Sequence, residues 1–173
     1  MSIRFATLAD VSAMLSVYAP YVRETAYSFE YEPPTLEEFT RRFLGITETF
    51  PWLVWEEDGV ILGYAYGSLP FERAAYQWSC EASIYLCQDA WGKGIGRKLY
   101  AALEALLQKQ GYKKVYAIIT TANDDGSVFR VVGWGGFGAH HNAYRICGTE
   151  GQIENIKDMS GNVLLRYNPW SKP

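Results

Sequence analysis

The amino-acid sequence predicts an α+β protein, with a mixed, mostly antiparallel sheet that contains a central βαβ unit and is flanked by helices. Apolar and polar residues alternate over 78–86, which is typical of a strand with two different faces. A glycine-rich loop follows, and leucines then recur at helical spacing between positions 99 and 107. The apolar run 115–120 completes the unit as a buried strand.

Two helices are expected before this unit. Thr7 with Asp10, and Thr35 with Glu38, have the spacing of N-terminal capping boxes, in which two side chains bond reciprocally to the first turn. We expect Pro20 to end or kink the first helix, because proline lacks the backbone N–H that the helix needs. The alternative is that a second turn or helix continues through Tyr21-Val22-Arg23.

A short first strand is expected at 3–5, and a β-hairpin is expected between the second helix and the central unit. Asp58-Gly59 separates the apolar runs 52–56 and 60–66, and this dipeptide is a strong hairpin signal. The predicted element order is therefore β, α, α, β, β, β, α, β.

Composition limits the class of protein. A chain of 173 residues is expected to form one domain, and its formal net charge of −3 leaves no broad basic surface for nucleic acid or an anionic membrane. The three cysteines, Cys80, Cys87 and Cys147, form no CxxC pair, which argues against a disulfide framework and a metal site. No signal-type apolar run follows residues 1–4, so we expect a cytoplasmic protein.

The glycine-rich loop Trp91-Gly92-Lys93-Gly94-Ile95-Gly96 predicts an anion site at the start of a helix. Glycines let a ligand approach the backbone, and the free N–H groups of a first helical turn favour phosphate. Lys93, Arg97 and Lys98 add positive charge. The loop lacks the Walker pattern and the third glycine of the dinucleotide fingerprint. A tight structural turn is the alternative interpretation.

The loop resembles the pyrophosphate loop of the Gcn5-related N-acetyltransferases (GNAT), with Trp91 where that family usually has Gln or Arg. Further blocks are similar to the branch of phosphinothricin and methionine sulfoximine acetyltransferases. These blocks are 29–39, 51–54, 63–66, 73–78 and 81–85. The resemblance runs from about Ile3 to Asn123 and implies the GNAT fold, acetyl-CoA as co-substrate and, for most members, a homodimer.

For the acceptor side, the resemblance implies transfer of an acetyl group to the amine of a small amino acid or a toxic analogue. Glu81 matches the acidic active-site residue and would act as general base. A solvated or structural carboxylate is the alternative for Glu81. Phe29, Arg73 and Tyr76 match positions that line the acceptor pocket or its loop.

For the cofactor side, the resemblance implies that the backbone of β-strand residues aligns the pantetheine arm and that the loop holds the pyrophosphate. The implied cofactor-binding residues are Ile84, Tyr85, Leu86, Gly92, Lys93, Gly94, Ile95, Gly96, Arg97 and Asn123.

The chain after about residue 124 departs from the branch, which would continue into a helix carrying a histidine. Four glycines between positions 126 and 136 disfavour a long helix there. His140 or His141 could replace the missing imidazole, although adjacent histidines are more often polar loop residues. Residues 162–167 alternate as a closing strand would. A non-catalytic acyl-CoA-binding relative is therefore the alternative to an active acetyltransferase.

Overall fold

A computed structural model of the chain describes residues 1–25, 27–28, 30–70, 76–122, 128–136, 143–147, 151–157 and 163–169. The helices are α1 (Val11–Glu24), α2 (Leu36–Thr47) and α3 (Ile95–Lys109). The strands are β1 (Ser2–Phe5), β2 (Trp52–Glu57), β3 (Val60–Ser68), β4 (Ser79–Leu86), β5 (Lys114–Ala122), β6 (Val128–Gly136), β7 (Ala143–Cys147), β8 (Gly151–Lys157) and β9 (Val163–Pro169). No helix in these ranges has both the length and the apolar character needed to cross a bilayer.

The strands form one sheet in sequence order, from β1 at one edge to β9 at the other. Neighbouring strands are antiparallel except β4 and β5, which are parallel and are joined through α3. This arrangement confirms the mixed sheet with its central βαβ unit. Residues 128–136 pair with β5 as β6, where the family resemblance implied a helix, and the closing strand predicted near 162–167 is β9.

Two apolar clusters pack on opposite faces of the sheet. On one face α1 and α2 cover the sheet, with Met14, Val54 and Tyr64 each no more than 1% exposed. On the other face α3 buries Leu99, Leu103 and Leu107 completely. The alternation of β4 serves both faces, since Cys80 and Ala82 contact the α3 cluster and Tyr85 packs against the other.

Local chemistry explains the turn between β2 and β3. Asp58 and Gly59 have φ angles of 51° and 81°, which are the two positive values that a tight hairpin turn requires. Of the two outcomes expected at Pro20, an end or a kink, the helix end does not occur, because α1 continues to Glu24 and includes the further turn that the sequence left open. Val17 and Val22 are buried on either side of Pro20, and this packing outweighs the one lost backbone hydrogen bond.

Candidate functional site

The strands β4 and β5 separate shortly after they begin to pair. In the described part of β5, the paired positions are Ser79 with Lys114, Cys80 with Val115 and Glu81 with Tyr116. The rest of β4 has no partner from β5 within that range, so a gap opens beside its C-terminal half.

The backbone of β4 presents polar groups to this gap. The N–H of Cys87 donates to the carbonyl of Leu62 in β3, at 2.9 Å. Because peptide groups of successive strand residues point to opposite edges, those of Leu86, Ile84 and Ala82 point away from β3 and toward the gap. An extended ligand with amide groups fits this edge, since it can pair with the strand as another strand would.

The glycine-rich loop lies at the end of this edge. Gly92 and Gly94 have φ angles of 72° and 74°, a region that favours glycine, and no heavy atom lies within 4 Å of where a Cβ would stand on either residue. α3 begins at Ile95, so the N–H groups of its first turn have no partner within the helix. This loop can accept a phosphate group against its backbone.

The cations near the loop differ in their surroundings. Lys93, Arg97 and Lys98 are all exposed, but the ammonium of Lys98 lies 5.2 Å from the centre of the Trp55 ring, in cation–π contact. Lys93 and Arg97 are therefore the cations best placed to attract a phosphate. Within the described ranges, no group of three or more His, Cys, Asp or Glu side chains is arranged to hold a metal ion.

Glu81 is half-buried on β4, opposite Ser68 of β3 and Tyr116 of β5. By strand alternation its carboxylate lies on the face covered by α1 and α2. Burial is the main reason that the pKa values of Tyr66 and Tyr85 are raised, and the negative charge of Glu81 raises both further. These two phenols are thus neutral at physiological pH and lie within electrostatic range of the carboxylate.

Aromatic rings fill the same face. The ring of Tyr85 lies edge-on to Tyr18 and Tyr21, with centroid distances of 4.9 Å and 5.2 Å, and 5.4 Å from Tyr64. Ser83 of β4 lies close enough to the Tyr66 hydroxyl to offset part of the rise in the Tyr66 pKa. The carboxylate of Glu81 therefore belongs to a surface of phenol rings and hydroxyl groups.

The connection between α1 and α2 is tied to this surface. The Tyr18 hydroxyl lies 2.9 Å from the Ser28 hydroxyl and donates to the carboxylate of Glu30 at 3.3 Å. Glu30 in turn accepts from the guanidinium of Arg42 on α2. These bonds fix one wall of the face on which Glu81 lies.

Several predicted site residues lie outside the described ranges. Phe29, Arg73 and Asn123 are among them, so their predicted roles stay predictions. Tyr76 is described as half-buried in a short turn before β4. The side chains of Ile84 and Leu86 pack on the α3 face, while Tyr85 packs on the opposite face.

Sequence reasoning missed two tyrosines of this site, Tyr18 and Tyr21. Both lie on α1, three positions apart, and therefore share one helix face. The helical spacing of aromatic residues could have indicated that face, but nothing in the local sequence indicates that it meets Tyr85 on β4. Trp91 was noticed only as a departure from the usual loop.

The sequence profile of the family described as "Acetyltransferase (GNAT) domain" matches residues 3–151. The chain belongs to this family. The assignment agrees with the mixed sheet, the gap beside β4 and the glycine loop before α3. As a GNAT member it is an acetyl-CoA-dependent N-acetyltransferase.

Similar proteins include the phosphinothricin N-acetyltransferase of Streptomyces viridochromogenes, which is 34% identical over 124 residues, 72% of this chain and 68% of that protein. The L-methionine sulfoximine/L-methionine sulfone acetyltransferase of Salmonella typhimurium is 31% identical over 128 residues, 71% of this chain and 72% of that protein. The pairwise matches thus leave about three tenths of this chain and of each relative outside the aligned region.

Solved structures show the same fold. The phosphinothricin acetyltransferase of Sinorhizobium meliloti in complex with AcCoA is 35% identical, with a TM-score of 0.66 over 68% of this chain and 65% of that one. An N-acetyltransferase of Staphylococcus aureus is 32% identical, with a TM-score of 0.68 over 72% of this chain and 76% of that one. GNAT relatives therefore support acetyl-CoA as the co-substrate.

Proposed function

We propose that this GNAT member transfers the acetyl group of acetyl-CoA to the amine of a small amino acid or a toxic analogue, such as phosphinothricin or methionine sulfoximine. Glu81 acts as the general base. The proposed acceptor class comes from the names of the relatives, and the proposed base comes from the position of Glu81 on β4.

The observation that carries the proposal is that Glu81 is the last residue of β4 paired with β5 before the gap opens. An acetyl-CoA molecule with its pyrophosphate at Gly92 to Arg97 would extend its arm along Leu86, Ile84 and Ala82. The thioester end of the arm then lies beside Glu81. A gap that ended elsewhere along β4 would separate the carboxylate from the reacting atoms.

The surface around Glu81 supports an amine acceptor. Phenol rings attract an ammonium group through their faces, and the carboxylate attracts it by charge. The hydroxyl groups of Tyr66 and Ser83 provide hydrogen-bonding partners for a polar acceptor. Together these groups suit a small, polar, cationic molecule rather than an apolar one.

The reaction requires one proton transfer before attack. Glu81 takes a proton from the acceptor ammonium, and the free amine attacks the thioester carbonyl. The new C–N bond forms, the C–S bond breaks, and the departing thiolate of coenzyme A takes up the second proton, which the attacking nitrogen loses as it becomes an amide. The proton held by Glu81 passes to solvent. The products are the N-acetyl amine and coenzyme A.

The test is acetyl-CoA-dependent thiol release with a panel of amines that includes phosphinothricin, methionine sulfoximine and polyamines. We expect Glu81→Gln to lower kcat by about 10²-fold or more, since general base catalysis contributes about 10²–10⁴-fold. Acetyl-CoA affinity should not change. Glu37→Gln, on the exposed surface of α2, is the matched control and should retain the wild-type rate.

A rate in Glu81→Gln close to that of the wild type would contradict the role of Glu81 as base. A protein that binds acetyl-CoA but acetylates no amine would instead be a non-catalytic acyl-CoA-binding relative. One observation favours that second function: residues 128–136 form a strand where the branch has its histidine-bearing helix. The thiol-release assay separates the two.

The homodimer and the cytoplasmic location expected from the family resemblance and the sequence belong to the same proposal. Light scattering coupled to size-exclusion chromatography tests the dimer, with a mass of twice 19.6 kDa as the expected result. A mass of one chain at all concentrations would contradict it.

A further inference from the structure

The polar groups of Leu86, at the end of β4 next to the glycine loop, are already bonded to side chains. The hydroxyl of Tyr21 donates to the Leu86 carbonyl oxygen at 2.5 Å and accepts from the Leu86 N–H at 3.2 Å. The indole Nε1 of Trp91 lies 3.3 Å from the same carbonyl oxygen and 3.3 Å from the Tyr21 hydroxyl. One phenol and one indole thus pair with both peptide groups of Leu86.

These are the groups that would otherwise stay unpaired at the gap. The peptide groups of Leu86 point away from β3, and the described part of β5 pairs with β4 only as far as Glu81. A strand edge without partners is unfavourable unless water or side chains bond to it. Tyr21 and Trp91 therefore supply the hydrogen bonds to the Leu86 backbone that a neighbouring strand supplies elsewhere in the sheet.

We infer that Tyr21 and Trp91 form a latch that occupies part of the acetyl-CoA site in the free protein and must release Leu86 when the cofactor arm binds. The inference rests on the proposed position of the arm, which passes Leu86 on its way from the glycine loop to Glu81. The Tyr21 hydroxyl has one proton, and that proton is donated to Leu86. The arm and the hydroxyl therefore compete for the same peptide groups.

The fold leaves room for the latch to open. A cavity of about 290 Å³ lies beside the Tyr21 ring, between the C-terminal half of α1 and the end of β4. Val17 and Pro20 on one side and Cys87 on the other contribute to its walls. This space lies beside the Tyr21 ring, so the latch has room next to it that the protein does not fill.

The latch also explains the residue at position 91. The usual Gln or Arg at that position of the loop is replaced by Trp91, whose exposed ring lies 6.5 Å from that of Tyr21. An indole N–H can donate to the Leu86 carbonyl while its ring packs on the phenol. Trp91 thereby belongs both to the glycine-rich loop and to the latch that covers the Leu86 backbone.

Calorimetric titration with acetyl-CoA tests the latch in the wild type, Tyr21→Phe, Trp91→Phe and Tyr31→Phe. Tyr21→Phe keeps the ring and removes the competing hydroxyl, so we expect acetyl-CoA to bind about three- to tenfold more tightly, the equivalent of one ordinary hydrogen bond. Trp91→Phe should change the affinity in the same direction by less. Tyr31→Phe is the matched control, because Tyr31 is fully exposed, and should bind like the wild type.

Thermal unfolding gives a second readout. In the free protein, Tyr21→Phe leaves the Leu86 N–H without the Tyr21 oxygen and the Leu86 carbonyl with the Trp91 indole alone. We therefore expect the free variant to melt below the wild type and saturating acetyl-CoA to raise its Tm by more. Weaker or unchanged binding by Tyr21→Phe, with wild-type binding intact, would overturn the latch alone. Absence of binding in all four proteins would overturn both the latch and the cofactor site.

Discussion

Glu81 pairs with Tyr116 at the last position where β4 and β5 run side by side. Beyond this pair the two strands part, and the backbone edge of β4 faces a gap that extends toward the glycine loop. The carboxylate therefore lies at the inner end of the gap and the loop lies at its outer end. The proposed base and the proposed phosphate-binding loop thus lie at opposite ends of the gap, as the proposed acetyl transfer from an extended cofactor requires.

Gly94 is expected to matter for binding as well as for folding. Its φ of 74° means that Gly94→Ala strains the backbone by about 1–2 kcal/mol. The strain shifts the N–H groups that would bond to the pyrophosphate, so we expect acetyl-CoA affinity to fall by about tenfold or more. Calorimetric titration measures the affinity.

Gly111→Ala is the control for Gly94→Ala. Gly111 follows α3 with a φ of 96°, and its N–H and that of Tyr112 bond to carbonyls of the last helical turn. This substitution has a similar backbone cost but lies outside the site, so the unfolding free energy should fall while acetyl-CoA affinity stays unchanged. Equal loss of affinity in both variants would show that the effect of Gly94→Ala is general destabilisation.

Lys93 and Lys98 are expected to separate binding from stability. Lys93→Met removes an exposed cation beside the loop, and acetyl-CoA affinity should fall by about two- to fivefold, the scale of an exposed charge pair. Lys98→Met removes the cation–π contact with Trp55 and should lower the unfolding free energy by about 0.5–1 kcal/mol. Titration and urea denaturation of both variants test this division. A larger loss of acetyl-CoA affinity in Lys98→Met than in Lys93→Met would contradict this assignment of roles.

Gly63 is expected to tolerate no side chain. A Cβ on Gly63 would contact Leu86 Cδ2 and would stand 2.8 Å from the carbonyl oxygen of Tyr85, so β3 and β4 could not keep their spacing. We expect Gly63→Ala to lower the unfolding free energy by about 1–3 kcal/mol. Gly45→Ala, on α2 with open space around it, should instead raise it by about 1 kcal/mol. Urea denaturation of both variants measures these changes in the unfolding free energy. A Gly63→Ala variant more stable than the wild type would contradict the register of β3 and β4.

Asp10 is expected to make the fold acid-sensitive. The Arg4 guanidinium donates to both carboxylate oxygens of Asp10 at 2.7 Å, and Thr7 N–H donates at 2.8 Å. The hydrogen bonds from Arg4 are the main reason that the pKa of Asp10 is lowered in the folded protein. This contribution is therefore complete above the ordinary aspartate pKa of about 3.9 and is lost as the pH falls below it toward the folded-state pKa.

Asp10→Asn should remove this contribution. We expect the unfolding free energy to fall by about 2 kcal/mol near neutral pH, with a smaller loss on acidification than in the wild type. Urea denaturation across a pH series measures both effects, with Glu104→Gln on the exposed surface of α3 as the control. Parallel pH curves for the wild type and Asp10→Asn would contradict the assignment.

Local patterns were sufficient for most of the fold. Asp58 and Gly59 predicted the hairpin because only a few residues adopt two successive positive φ angles. The leucines of α3 predicted its buried face because a helix repeats every 3.6 residues. The glycines from 126 to 136 argued against a helix there, and β6 occupies most of that stretch. The local sequence left open whether α1 continues past Pro20, since the answer depends on packing against the sheet.

The sequence by itself determined the element order from β1 to β5, the βαβ unit, the glycine loop and the position of Glu81 on the polar face of a strand, because each depends on a repeat or a short motif. Only the tertiary structure decided where β4 and β5 part and that Tyr21 reaches Leu86, 65 positions later in the chain. The physical reason is that backbone N–H and C=O groups at a strand edge need hydrogen-bond partners, and the packing of elements distant in sequence determines which side chains reach them.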